Sequence, residues 1–216
     1  MEKLSPHYRN DNADDLPADI KAYLDKHFLQ QLENLQVQNP KLLVVFSAAN
    51  GVGKSSLAQR LKRDLKALVL ENDQVKTCLL AYNPDLGRDE LNRLTWQYTM
   101  NLYARLPAVT PNGLVVRDGV IDWYYDRILP VFGKQGYPIF TVAFDVSEEK
   151  RIELLTKRGD KQTVGVPRLM KLFEDHAVHI NRFRASHALD AVLTDDNLFD
   201  YDGVVAAIRR RLQELQ

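Results

Sequence analysis

From residue 41 onward the chain repeats one alternation, a short apolar run followed by a longer stretch in which apolar residues recur every three or four positions. The runs are "LLVVFSA" (42–48), "ALVLE" (67–71), "GLVVRD" (113–118), "IFTVAFDV" (139–146) and "DAVLTD" (190–195). Most are continuous rather than strictly alternating, which is the pattern of strands buried on both faces. The stretches between and after them predict helices over 54–66, 89–106, 122–134, 147–158, 168–186 and 201–215. Strands separated by helices predict an α/β fold, a parallel sheet with helices on both faces. Upstream, Pro17 suits a first helical turn, and Ile20, Tyr23, Leu24, His27, Phe28, Leu32 and Leu35 follow at helical spacing until "VQNP". Residues 1–15 read as a loose tail. The organisation expected is therefore a tail and added helix over 1–40 and one α/β domain over 41–216.

Composition narrows this only a little. The 216 residues suffice for one well-buried domain, and 29 basic against 29 acidic residues give no basic excess of the kind a nucleic-acid surface needs. The one cysteine, Cys78, excludes an internal disulfide or a cysteine-rich metal site and fits a reducing compartment. The opening "MEKLSPHYRNDNADD" has no apolar stretch of the signal-peptide kind, and no run suffices to span a membrane, so the expected location is the cytoplasm.

The first strand runs into Ala48, Ala49, Asn50, Gly51, Val52, Gly53, Lys54, Ser55 and Ser56, after which Leu57, Leu61 and Leu65 begin a helical stripe. This is the phosphate-loop pattern G-x-x-x-x-G-K-[ST] with Ala48 in place of the first glycine. A loop that wraps its backbone N–H groups around a phosphate needs glycine. A helix starting there turns its positive end to the anion, the lysine reaches the outer phosphates and the serine hydroxyl reaches Mg²⁺. Strand before and helix after supply the context that the motif requires. Ala48 adds one methyl and is compatible with the loop if its φ is negative.

On these residues the chain resembles the P-loop kinases of the nucleoside-monophosphate-kinase-like group, and within it the small ATP-dependent kinases related to polynucleotide kinase, zeta toxin and gluconate kinase. The resemblance covers about residues 41–215 and is strongest at the loop. It implies a P-loop NTPase three-layer sandwich with strand order 2-3-1-4-5 and a small lid. It also implies ATP and Mg²⁺ as cofactors and transfer of the γ-phosphate to an acceptor.

The resemblance assigns roles at three further places. In "LENDQVK" (70–76), Asp73 matches the aspartate that takes the acceptor's proton, and Lys76 stands where related kinases have arginine. Asp73 would equally serve as a helix N-cap. In "VVRDG", Asp118 and Gly119 match an Asp-Gly whose carboxylate holds Mg²⁺ through water or fixes Ser55; Arg117, Asp122 and Arg127 flank it and could face the acceptor. In "SEEKRIELLTKRGDKQTVGVPR" (147–168) a helix capped by Ser147 runs into a cationic segment with Arg158, Gly159, Lys161 and Arg168, the composition of a lid closing over phosphates. A solvated basic loop would read the same way.

Other signals have plainer readings. His176 and His179 are one turn apart, but His176 lies in line with Leu169, Leu172, Phe173, Ile180 and Phe183 and reads as a core residue. On the helix after the second strand, Leu91, Leu94, Tyr98, Leu102 and Leu106 form the expected buried stripe, with Arg93, Trp96 and Tyr103 off it; Trp96 could stack on an acceptor. "LTDDN" (193–197) stands where related kinases contact adenine. The sequence thus favours an ATP-dependent kinase acting on a small-molecule acceptor, most simply at a hydroxyl. The alternatives are a nucleotide-controlled ATPase or switch that docks a protein partner on its N-terminal helix, and a nucleic-acid 5′-end or toxin-type kinase.

Overall fold

A computed structural model describes residues 16–33, 38–157 and 166–216. In chain order the elements are α1 (Ala18–Glu33), β1 (Leu42–Ser47), α2 (Lys54–Leu65), β2 (Leu68–Glu71), α3 (Asn72–Tyr82), α4 (Arg88–Val109) and β3 (Leu114–Val120). They continue with α5 (Tyr125–Gly133), β4 (Ile139–Asp145), α6 (Glu148–Lys157), α7 (Val166–Arg184), β5 (Ala191–Thr194) and α8 (Tyr201–Glu214). Two compact units result: one holds α1 with Glu71–Gly113, the other Asn39–Leu70 with Leu114–Gln216.

The second unit is built on a five-stranded sheet in the order β2-β3-β1-β4-β5, with β1 parallel to β3 and β4, and β4 parallel to β5. All six residues of β1 are buried, as its unbroken apolar run requires. Leu42, Val44 and Phe46 join Leu57, Leu61 and Leu65 of α2 and Val204, Val205, Ile208 and Leu212 of α8 in one core. Ser47 points to the opposite face, where Arg184 at the end of α7 bonds it. Helices therefore cover both faces, and the fold class and strand order are those expected. Asp200 caps α8 by accepting the Gly203 N–H at 3.1 Å.

One irregularity bears on function. Val44 pairs with Val116 and Phe46 with Val120, so Val45 of β1 stands against Arg117, Asp118 and Gly119 of β3. The strand bulges there and resumes with the Ile121 N–H donating to the Phe46 carbonyl at 3.0 Å. Asp118 and Gly119 thus lie inside β3, not at its end.

In the first unit α1, α3 and α4 pack together around Leu24, Leu32, Val75, Leu79, Leu94, Tyr98, Leu102 and Leu106. Arg105 of α4 clamps the Asp25 carboxylate with two bonds of 3.0 and 2.6 Å, and Lys21 adds a third at 2.7 Å. Burial raises the Asp25 pKa, but these cationic donors outweigh it and hold the group below its ordinary value. Leu35 and the tail 1–15 lie outside the described residues.

Candidate active site

The turn from β1 into α2 is shaped by two glycines in the left-handed region, Gly51 at φ 84° and Gly53 at φ 96°. A Cβ at Gly51 would stand 2.6 Å from Leu155 Cδ2, and one at Gly53 2.7 Å from Tyr201 Oη. Gly53 is the N-cap residue of α2, without a side-chain cap bond, and no acidic residue occupies the first turn. The first N–H groups of α2 are therefore left for an oxyanion, with the helix dipole behind them. Lys54 is buried and donates through Nζ to the carbonyl of Ala49 across the loop, while Ser55 and Ser56 are exposed. Ala48 is not in the left-handed region, so the absent first glycine costs the loop nothing in backbone conformation.

Ala48 is instead held from outside. Its N–H donates to Asp122 Oδ2 at 2.9 Å, and the buried Asp122 also accepts the Ser47 hydroxyl. Burial pushes the Asp122 pKa up, against the Ser47 and Ala48 bonds and the charge of Arg184, and its Oδ1 is buried without a partner. Arg184 donates from Nε to Ser47 Oγ at 3.1 Å, from Nη1 to Asp145 Oδ1 at 2.9 Å and from Nη2 to the Phe144 carbonyl at 3.0 Å. On the far side of the loop, Tyr201 Oη donates to the Gly53 carbonyl at 3.2 Å. The sequence offered Asp122 as a residue that could face the acceptor, not as an acceptor for the loop backbone; Arg184, Ser47 and Tyr201 carry no motif, and only the fold brings them to the loop.

Asp73 is the second residue of α3, whose N-cap is Glu71, so it does not cap the helix. Its carboxylate is 91% exposed and 3.4 Å from Lys76 Nζ. Asp118, inside the bulge, is half-buried, and the Asp122 carboxylate accepts the N–H of Ala48. Arg158, Gly159 and Lys161 lie outside the described residues, as do the side chains of Arg168, Leu169, Leu172 and Phe173. Trp96 and Tyr103, expected off the buried stripe of α4, are buried along with Thr95, Gln97 and Thr99, so α4 is enclosed on more than one face. His176 is buried edge-on to Trp123 with centroids 5.3 Å apart, and His179 stacks on the same ring at 3.8 Å. Among the described residues no three His, Cys, Asp or Glu side chains could hold a metal ion.

Residues 43–179 match the family described as AAA domain. The chain belongs to that family. Of the solved structures, this AAA-domain chain is similar to one of the PezAT chromosomal toxin-antitoxin system of Streptococcus pneumoniae, with TM-score 0.57 and 12% identity over 79% of this chain and 73% of that one. It is similar to a gluconokinase from Sinorhizobium meliloti 1021, with TM-score 0.51 and 17% identity over 83% and 97%. It is also similar to the Mycobacterium tuberculosis APS kinase CysC in complex with AMPPNP and APS, with TM-score 0.50 and 22% identity over 79% and 99%. No curated protein matches the sequence. At these identities the likeness is one of fold, and the fold is that of the P-loop kinases.

The residues of the loop fit a nucleoside triphosphate. The uncapped start of α2 and the glycine turn before it would cradle an anion, Lys54 would add a cation, and the exposed hydroxyl of Ser55 is a hard oxygen donor of the kind Mg²⁺ takes.

Proposed function

We propose that this AAA-domain protein is an ATP-dependent phosphotransferase that moves the γ-phosphoryl group of Mg·ATP to a small-molecule acceptor, most simply to a hydroxyl. The observation that carries the reading is the N-terminus of α2, with no side-chain cap and no acidic residue in its first turn, set on a loop turned by two left-handed glycines.

The N–H groups from Asn50 to Ser56 would hold the phosphates of the nucleotide, and Lys54, which donates to the Ala49 carbonyl here, would supply a cation to them. Ser55 would hold Mg²⁺, with Asp118 supporting it through water, as the resemblance implies. Bound Mg·ATP would supply the transferable phosphoryl group with part of its charge neutralised. Asp73, exposed and without a capping duty, orients the acceptor hydroxyl and takes its proton. Arg158 closes over the transferring group, and Arg168 supports the bound phosphates, as the resemblance implies. Positioning and charge stabilisation carry the rate, with no covalent intermediate on the protein.

The test is ADP release from Mg·ATP with and without pooled hydroxyl metabolites, for wild type, Lys54→Ala and Asp73→Asn. Stimulation by a pool, lost in both variants while Asp73→Asn still binds ATP, is the expected result. Stimulation unchanged in Asp73→Asn removes its role as base.

A further inference from the structure

Arg117 is a charged group that the phosphate loop does not use. It stands in the β3 bulge at 3% exposure. Nη1 donates to the Val120 carbonyl at 3.0 Å, Nε is buried without a partner, and no carboxylate of the described residues pairs with the guanidinium. Burying an arginine with one neutral acceptor is unfavourable unless something else satisfies the charge. The fold makes room for it all the same. A Cβ at Gly119 would stand 3.0 Å from Nη1, 3.4 Å from Cζ and 3.5 Å from Nη2, so the glycine is what lets the guanidinium lie against the strand. With Nη1 engaged, the edge left over is Nε with Nη2, the fork that takes a carboxylate or phosphate through two parallel bonds.

The place of this fork matters as much as its chemistry. β3 is the sheet neighbour of β1, and Val120, whose carbonyl fixes Nη1, pairs with Phe46, two residues before the loop begins at Ala48. In parallel α/β sheets ligands gather at the carboxyl ends of the strands. The nucleotide's phosphates already have the start of α2 and Lys54, so a second cation on the adjacent strand is available to the other substrate. We propose that Arg117, seated on Gly119, binds an oxyanion of the acceptor, and that the acceptor is therefore a hydroxyl compound carrying a phosphate or carboxylate group. This rests on the phosphotransferase reading above.

The experiment compares two matched pools with Mg·ATP: neutral sugars and nucleosides, and the same skeletons bearing a phosphate or a carboxylate. ADP release is read for wild type, Arg117→Gln and Gly119→Ala, with Mg·ATP affinity measured separately and folding followed by circular dichroism. Gly119→Ala keeps the charge and displaces the guanidinium, so it decides the matter if Arg117→Gln does not fold. The anionic pool is expected to stimulate wild type about tenfold more than the neutral pool. Both variants are expected to need about tenfold more of it for half-saturation, with ATP affinity unchanged. Equal stimulation by the neutral pool, variants that respond like wild type, or a loss of ATP affinity in both variants would each overturn the assignment. If neither pool stimulates, the phosphotransferase reading fails and the site is judged separately, from the melting shift that inorganic phosphate gives at saturating Mg·ADP. A shift in wild type that both variants lack upholds an oxyanion site at Arg117; no shift, or an equal one, overturns it.

Discussion

Gly51 and Gly53 hold φ values of 84° and 96°, and a methyl at either would meet Leu155 or Tyr201 at under 3 Å. Gly53→Ala is expected to cost about 1–2 kcal/mol of stability from the left-handed backbone alone, and to weaken Mg·ATP binding about tenfold or more, read by calorimetry. Asp122 gives a second test at this scale. Asp122→Ala leaves the Ala48 N–H and the Ser47 hydroxyl without their acceptor and should cost about 1–3 kcal/mol by urea denaturation. Asp122→Asn keeps an acceptor oxygen and removes the buried charge, so it should stay close to wild type near neutral pH. The pH dependence has a definite sign. Burial raises the folded pKa of Asp122, so its contribution is fully present below the unfolded value near 3.9 and is lost as pH rises through the folded one. The stability of wild type relative to Asp122→Asn should therefore fall on going from acid to neutral pH; a flat difference would show that burial does not govern this group.

Among the elements, β1, the loop and α2 were legible because their signals are local: an unbroken apolar run, two glycines with Gly-Lys-Ser, then leucines at helical spacing. The apolar pattern did not announce α3 as an element, because only Val75 and Leu79 of it are buried, too few to set a period. The β3 bulge was equally hidden. In "VVRDGV" the apolar run breaks at Arg117 with no alternation to fix a register, and only the pairing with β1 decides that Arg117 to Gly119 stand against a single residue. For α4, the 3.6-residue period identified the helix and understated its burial, since Trp96 and Tyr103 are enclosed as well as the leucine stripe. The α1–α4 clamp carries the opposite pH sign to Asp122. Arg105 and Lys21 hold the Asp25 pKa down, so its stabilisation is present above the unfolded value and is lost as pH falls through the lower folded one. Asp25→Ala should lower the melting temperature at neutral pH by the equivalent of about 2 kcal/mol, and this deficit should shrink in acid below about pH 4. A deficit unchanged in acid would mean that packing, not the ion pair, joins these helices.

For the molecule as a whole, the alternation of strand and helix was enough to anticipate the sheet order through the family resemblance, because that order is a property of the fold more than of any one residue. Asp73 and the phosphate loop belong to different compact units, and no local sequence signal marks that division. No helix of the described residues is long and apolar enough to cross a membrane, and the balanced charge gives no general basic surface. What separates a phosphotransferase from a nucleotide-controlled switch is the fate of the γ-phosphoryl group. The decisive measurement is therefore to incubate the protein with Mg·ATP labelled at the γ-phosphate and the metabolite pools, and to separate the labelled products. Label on an organic acceptor, abolished by Asp73→Asn, is the result this account predicts. Label recovered only as inorganic phosphate, at a rate no pool changes, would contradict it and make the protein an ATPase.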